Sequence, residues 1–310
     1  LKNETAKPLP DFLILGAGKS GTTSLDNYLS EHPQIFISPV KEPNFFAYLK
    51  HKAEDFDIPE SKEHFLESVT TFEAYHALFQ NAKAGQLLGE TSNTYLYGQH
   101  SVETIKEHVP EAKLVAIFRQ PAERLYSRFL HLARENQLPT PQFEHCLDRE
   151  SIWWQRPDLI NEGFYYKHLS RFYKAFPKEQ IKVFLFEDLK NPDLLFTELF
   201  DFLGVDTSFR PSSDVVYNQS GFVKNKLKNR LVGPNGLVIK SVKKVAPFFV
   251  KWAQQNPYFE RKLNNMRASN LHKPKLSKEF KAQLTNEVYK KDIQQLEQLI
   301  GRDLSSWYTF

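Results

Sequence analysis

Residues 12 to 24 constrain this chain most. The run Phe12-Leu13-Ile14-Leu15 is an apolar strand that leads directly into Gly16-Ala17-Gly18-Lys19-Ser20-Gly21-Thr22-Thr23-Ser24. Glycines at 16, 18 and 21 permit a tight turn with backbone N–H groups aimed at a ligand, and the helix that follows, Thr22 to about Ser30, presents its positive dipole end. Lys19 adds a full charge, and Ser20, Thr22, Thr23 and Ser24 add hydroxyl donors. Strand, turn and helix together form an anion cradle whose expected guest is phosphate or sulfate. The spacing does not match a nucleotide-triphosphate loop of the G-x-x-x-x-G-K-[ST] type, because the position five before Gly18 is Leu13, inside the strand, and the loop is shorter.

A second element repeats the pattern. Residues 113 to 118, Lys-Leu-Val-Ala-Ile-Phe, read as a buried strand, followed by Arg119-Gln120-Pro121 and a helix from about Ala122 to Arg134. Pro121 suits a first helical position. Arg119 then stands at the carboxyl end of a strand, where open α/β sheets bind ligands, and Ser127 lies two turns into the helix. A guanidinium and a hydroxyl make a natural second phosphate site. A surface Arg and a packed helix Ser are the alternative reading. His131 follows Ser127 by four residues and shares its helix face. Further strand-like runs at Ile35 to Ile37, Gln86 to Leu88 and Ile181 to Phe186 alternate with helical stretches. The pattern predicts an α/β fold with a central parallel sheet flanked by helices on both faces. Lys50 to Ala82 and Glu135 to Asn161 carry no strand pattern and are candidate walls of an acceptor cleft, with Trp153 and Trp154 either there or in the core.

With 310 residues, 41% hydrophobic and 14% aromatic, the chain can bury a sizeable core, and residues 1–310 are expected to form a single domain. It holds no apolar run of membrane-spanning length and no recognisable secretory signal. Its one cysteine, Cys146, excludes an intrachain disulfide, and the histidines lack metal-ligand spacing. The net charge of +4 hides an asymmetry: Val215 to Phe259 contains no acidic residue, while Lys224, Lys226, Lys228, Arg230, Lys240, Lys243, Lys244 and Lys251 are basic. That stretch fits either a solvated face over an anionic cofactor or contact with an acidic partner. Phe248-Phe249-Val250-Lys251-Trp252 leaves peripheral membrane contact open. Nothing resembles a nucleic-acid-reading module.

Taken together, strand–Gly-Ala-Gly-Lys-Ser-Gly-Thr-Thr-Ser–helix and Arg119-x-Pro121-x-x-Arg124-x-x-Ser127 resemble the two signatures of the PAPS-dependent sulfotransferases, PAPS being 3′-phosphoadenosine 5′-phosphosulfate. The first is similar to that family's 5′-phosphosulfate loop, which implies Gly18, Lys19, Ser20, Gly21, Thr22, Thr23 and Ser24 as cofactor contacts. The second is similar to its 3′-phosphate motif, which implies Arg119 and Ser127. Lys41-Glu42-Pro43-Asn44-Phe45-Phe46 resembles the Glu-Pro-His-Phe-Phe segment of the glycan-type branch, whose Glu is the base; here Asn44 stands in place of the His. Gly89-Glu90-Thr91-Ser92-Asn93-Thr94-Tyr95 resembles a further segment, with Thr91 where heparan-type members carry a substrate-side Lys. Glu162-Gly163-Phe164-Tyr165-Tyr166 to Glu187-Asp188-Leu189, and the tail from Gly301 to Trp307, resemble parts of bacterial members.

The resemblance implies a P-loop-NTPase-like sulfotransferase fold, PAPS as donor, its bisphosphate PAP as product, and no metal. It implies in-line displacement, with Lys19 at the leaving phosphate oxygen and Glu42 taking the acceptor proton. His131 either shares the base role or packs on the helix's inner face, and Lys224 or Lys226 reaches the 3′-phosphate. Golgi members commonly have disulfides, so a lone cysteine favours a cytoplasmic location, with a Golgi-lumenal catalytic domain as the alternative. The likeness extends to cyanobacterial-type domains of polyketide and olefin synthases, which implies a β-hydroxyacyl chain on an acyl carrier protein as the leading acceptor. A glycan or lipid hydroxyl is the alternative acceptor; a kinase or a non-catalytic nucleotide-binding module is the alternative class.

Overall fold

Five strands pair in parallel throughout: β1 (Phe12–Gly16), β2 (Ile35–Ile37), β3 (Leu87–Thr91), β4 (Lys113–Phe118) and β5 (Ile181–Leu185), in the order β2-β3-β1-β4-β5. The structure, a computed structural model, describes residues 8–211, 222–223, 271–272 and 274–310. Phe12 is in register with Gly89 on one side and Lys113 on the other, and Ala116 with Val183.

Near-continuous apolar strands are what a sheet covered on both faces requires. Phe12 and Ile14 of β1, Val115 and Ile117 of β4, and Phe184 of β5 share one core with helix α1 (Thr22–Ser30), through Leu25 and Leu29, and with the helix Pro192–Leu203, through Leu195, Phe196, Leu199 and Phe200. Leu13, Leu15, Leu114, Ala116 and Phe118 alternate with them and are equally buried. Tyr165, which opens the helix Tyr165–Ala175, stacks on Phe118 with ring centroids 4.3 Å apart. The expected parallel sheet between two helical layers is the fold observed.

The chain leaves β1 toward β2 and β3 on one side, then crosses to β4 and β5 on the other. The order reverses at β1, and such a switch point opens a crevice at the carboxyl ends of the flanking strands. β3 runs to Thr91 rather than stopping near Leu88. Hydrophobicity could not show this, because Glu90 and Thr91 enter the sheet on the strength of side-chain hydrogen bonds. The stretch from 50 to 82 contains the helices Pro59–Leu66 and Phe72–Ala77. Trp153 is fully buried, and Trp154 Nε1 donates to the Cys146 carbonyl at 3.1 Å, so both indoles are held in packing roles.

Two compact units divide the chain: Leu1–Leu125 with Glu144–Tyr217 and Lys278–Phe310, and Tyr126–Phe143 with Asn218–Ser277. The first contains the sheet. In the second, the rings of Tyr126 and Phe129 each pack on Phe143, and Phe222–Val223 pairs antiparallel with Leu271–His272.

At Gly89 the sheet depends on a missing side chain. A Cβ there would stand 2.1 Å from Cζ of Phe12, the ring of the neighbouring strand, in a site with no room to retreat. Gly89→Ala is expected to destabilise the fold by about 1–3 kcal/mol through overpacking. A lower midpoint in denaturant at unchanged slope is the measurement that checks it.

Candidate active site at the carboxyl ends of β1, β3 and β4

The loop after β1 is pinned at both ends. Ala17 N donates to the Ile117 carbonyl at 2.8 Å, and Ser20 N to the Ala17 carbonyl at 3.2 Å. Gly21 occupies the N-cap of α1 at φ 109°, a left-handed conformation, and a Cβ there would lie 2.7 Å from Leu189 Cδ1. A glycine offers no capping side chain, and the first turn of α1 holds no acidic residue. The first-turn N–H groups are therefore answered neither by a side-chain cap nor by a local carboxylate, which suits an incoming anion. Ser20 is fully buried, with its hydroxyl beside that of Tyr165. Lys41 Nζ donates to Thr23 Oγ1, so one hydroxyl of the cradle is already engaged. Lys41 is exposed as a residue, yet desolvation of its ammonium lowers its pKa, opposed by the carboxylates of Asp26 and Glu42.

Glu42 meets this loop through Asn93. Its Oε1 accepts from Asn93 Nδ2 at 2.8 Å, and its N–H donates to the Thr91 carbonyl at 2.9 Å. The same Asn93 Nδ2 would lie 3.5 Å from a Cβ built on Gly18. The carboxylate proposed as base and the proposed phosphosulfate loop thus share a neighbour. Among the described residues four non-glycine residues have positive φ, and Lys19 (65°), Glu42 (55°) and Asn44 (55°) are three of them. Such conformations persist only where surrounding contacts over-determine them. At Asn44 those contacts are explicit: its N–H donates to Ser92 Oγ at 3.0 Å, and its Nδ2 to the Glu42 carbonyl at 2.7 Å.

Behind this segment sits Glu90, completely buried at the end of β3. Its carboxylate accepts from Ser92 Oγ at 2.8 Å, from Tyr75 OH at 3.1 Å and from Tyr95 OH. Tyr95 OH accepts the Phe46 N–H in turn, so Glu90 anchors residues 44 and 46 through two hydroxyl relays. Burial pushes its pKa up to about 7, against the pull of the three hydroxyls. Asp26 on α1 is likewise raised by burial, with the hydrogen bond from Thr91 Oγ1 at 2.6 Å working the other way.

At the end of β4, Arg119 lies against the face of Phe186, 4.6 Å from the centroid, and its Nη2 pairs with Glu123 Oε2 at 2.9 Å. Glu123 also accepts from Lys281 Nζ at 2.7 Å. Burial would raise its pKa, but the bonds from Lys281 and Arg119 prevail and lower it. Arg124 is fully buried and joined to Glu162, Nη1 to Oε2 at 2.7 Å. Glu162 Oε1 accepts the Gly18 N–H at 2.6 Å.

Ser127 and His131 lie on the part of the helix Pro121–Glu135 that belongs to the second unit. Ser127 is buried there, and His131 Nδ1 accepts from Arg134 at 3.0 Å. Lys224 and Lys226 fall outside the described residues. Among the described residues, no helix is long and apolar enough to cross a membrane, and no group of three or more His, Cys, Asp or Glu side chains is arranged to hold a metal. Cys146 is buried and free, its thiol pushed up to about 12 by burial, with Glu144 adding to the shift.

Asn93, Arg124, Glu162 and Tyr165 fall inside the sequence motifs but carry no local sign of a role. Their contacts span 51, 38, 144 and 46 positions of chain, beyond any local periodicity.

Glu90 carries a pH signature. Its pKa is higher in the folded chain than its ordinary value of 4.5, so the stabilisation is complete below about pH 4.5 and is lost as pH rises through about 7. Glu90→Gln is neutral throughout. Between about pH 5 and pH 8 the native chain should lose on the order of 2 kcal/mol of unfolding free energy relative to the variant. Guanidinium unfolding of both across that range checks it; parallel curves would sink the assignment.

A model of the sulfotransferase family matches residues 10–209, more than half of the chain. A sulfotransferase from Alicyclobacillus acidocaldarius is similar in structure at a TM-score of 0.71 and 27% identity, over 97% of this chain and 99% of that one. A bifunctional heparan sulfate N-deacetylase/N-sulfotransferase 4 of Mus musculus is 24% identical over 230 residues, 71% of this chain and 25% of the relative. Carbohydrate sulfotransferase 15 of Rattus norvegicus is 23% identical over 297 residues, 79% of this chain and 53% of the relative. The matches thus span about a quarter of the first curated relative and about half of the second. On the family match, with the fold and the loop it covers, the chain belongs to the sulfotransferase family.

Proposed function

We propose that this chain moves a sulfonate group from PAPS to an acceptor hydroxyl, with residues 1–310 acting as one sulfotransferase domain. One observation carries the reading: Asn93 Nδ2 stands 2.8 Å from Glu42 Oε1 and beside Gly18, which brings a carboxylate to the rim of an anion-binding loop. The uncapped start of α1 and the buried Ser20 hydroxyl fit a phosphosulfate. When bound, PAPS supplies an electrophilic sulfur and a phosphate leaving group.

The chain's own residues do the rest. Gly18 to Ser24 form the cradle, with Lys19 and the hydroxyls of Ser20 and Thr22 neutralising charge on the leaving side as preorganised donors. Glu42 takes the acceptor's proton onto its carboxylate, held in aim by Asn93. Arg119 binds the 3′-phosphate; Glu123, itself bonded to Lys281, orients the Arg119 guanidinium beside Phe186.

The acceptor is an alcohol oxygen. The names of the curated relatives, heparan sulfate and carbohydrate sulfotransferases, support a glycan hydroxyl. A β-hydroxyacyl chain on an acyl carrier protein is the second reading, favoured by the basic stretch between Lys224 and Lys251, which would complement an acidic carrier.

Calorimetric titration with adenosine 3′,5′-bisphosphate, AMP and ATP tests the cofactor. The bisphosphate should bind most tightly, and Arg119→Ala should cost it about 10- to 100-fold while leaving AMP nearly unchanged. Tighter binding of ATP would overturn the reading in favour of a kinase. Glu42→Gln should lower kcat by about 100- to 10,000-fold with bisphosphate affinity intact. Turnover on glycan and carrier-linked acceptors, measured side by side, decides between the two classes.

A further inference from the structure

Glu162 and Tyr165 belong to neither phosphate motif, yet between them they touch both. Glu162 Oε1 accepts the Gly18 N–H at 2.6 Å, in the loop after β1, and its Oε2 accepts from Arg124 Nη1 at 2.7 Å. Arg124 lies five residues beyond Arg119 and also donates to the carbonyls of Asp158, at 3.4 Å, and Leu159. Three residues after Glu162, the hydroxyl of Tyr165 donates to the carbonyl of Arg119 itself at 2.8 Å, and its ring stacks on Phe118. The short stretch from 162 to 165 therefore fastens the phosphosulfate loop at one end and the Arg119 corner at the other.

A carboxylate beside an anion site is a conspicuous choice. Glu162 is 3% exposed, so its charge is desolvated and must be answered within the protein. Arg124 answers it, which keeps a net negative charge away from the loop. Both oxygens are then committed, one to the loop and one to the helix turn after Arg119. Charge-assisted bonds of this kind are short and directional, and a fully buried network resists distortion. Gly18 and Arg124 are thus joined through one carboxylate, and the Arg119 backbone is tied to Tyr165.

We propose that Glu162, with Arg124 and Tyr165, is a positioning residue that couples the two phosphate-binding halves of the nucleotide site. Occupancy of one half holds the other in its binding geometry, so the second phosphate meets a site already ordered. The inference rests on the cofactor reading given above. It adds that the two phosphates bind cooperatively and names the residues that make them do so.

A ligand cycle tests it. The full chain is titrated with adenosine 3′,5′-bisphosphate, adenosine 5′-monophosphate, adenosine 3′-monophosphate and adenosine. The native chain should bind the bisphosphate at least about tenfold more tightly than the two single-phosphate gains multiply to. Glu162→Gln keeps an acceptor for Gly18 but removes the counter-charge of Arg124; this excess should vanish while adenosine affinity stays within about twofold. If breaking a buried ion pair prevents folding, Tyr165→Phe decides, since it deletes one hydroxyl and should cut the excess several-fold. An excess that survives in a folded variant, an equal loss across all four ligands, or tighter binding of every phosphate at unchanged excess would overturn the proposal. So would a native chain that prefers the bisphosphate but shows no excess. A native chain with no preference for the bisphosphate over AMP would fail at the cofactor reading instead, and the coupling with it.

Discussion

Parallel pairing of β1 with both β3 and β4 sets three carboxyl ends side by side, and the site depends on that juxtaposition. Each of these strands ends in a different resource. β1 delivers a glycine-rich turn and an uncapped helix start, β3 delivers Glu90 and then Asn93, and β4 delivers Arg119. Parallel strands require crossovers, so these residues are far apart in sequence and meet only because the strand order reverses at β1.

Buried carboxylates stabilise this edge in two ways. Glu162 is charged and paired with Arg124, at the cost of desolvating both groups. Glu90 is held by three hydroxyls, whose pull on its pKa is outweighed by burial, so its proton affinity stays high. The difference suits their positions. Beside the glycine-rich loop the buried carboxylate is balanced by a guanidinium, whereas behind the Glu42 segment a hub of hydrogen bonds holds Asn44 and Phe46 in place.

Lys19 and Glu42 share a left-handed backbone conformation that neither side chain favours. Residues with proposed chemical roles on opposite sides of the reaction are thus set by tertiary contacts. At Glu42 those contacts come from Thr91 and Asn93 of the β3 segment. Family membership accords with this arrangement, since the match from residue 10 to residue 209 takes in all five strands.

Much of this was legible in the chain itself. Apolar runs at β1, β4 and β5 and the glycine-rich turn are local signals, because a strand buried on both faces and a tight anion-binding turn each demand particular residue types at consecutive positions. Those signals determined the α/β architecture and the place of the glycine-rich turn, and the resemblance they supported pointed to Glu42. What only the tertiary structure decided are the contacts that aim these groups: Asn93 on Glu42, Glu162 on Gly18, Tyr165 on Arg119, and the extension of β3 through Glu90. A polar residue carries no periodic trace of its partner. Its burial is tolerated only once a distant donor or acceptor has been brought within hydrogen-bond reach, and that is a property of the folded chain.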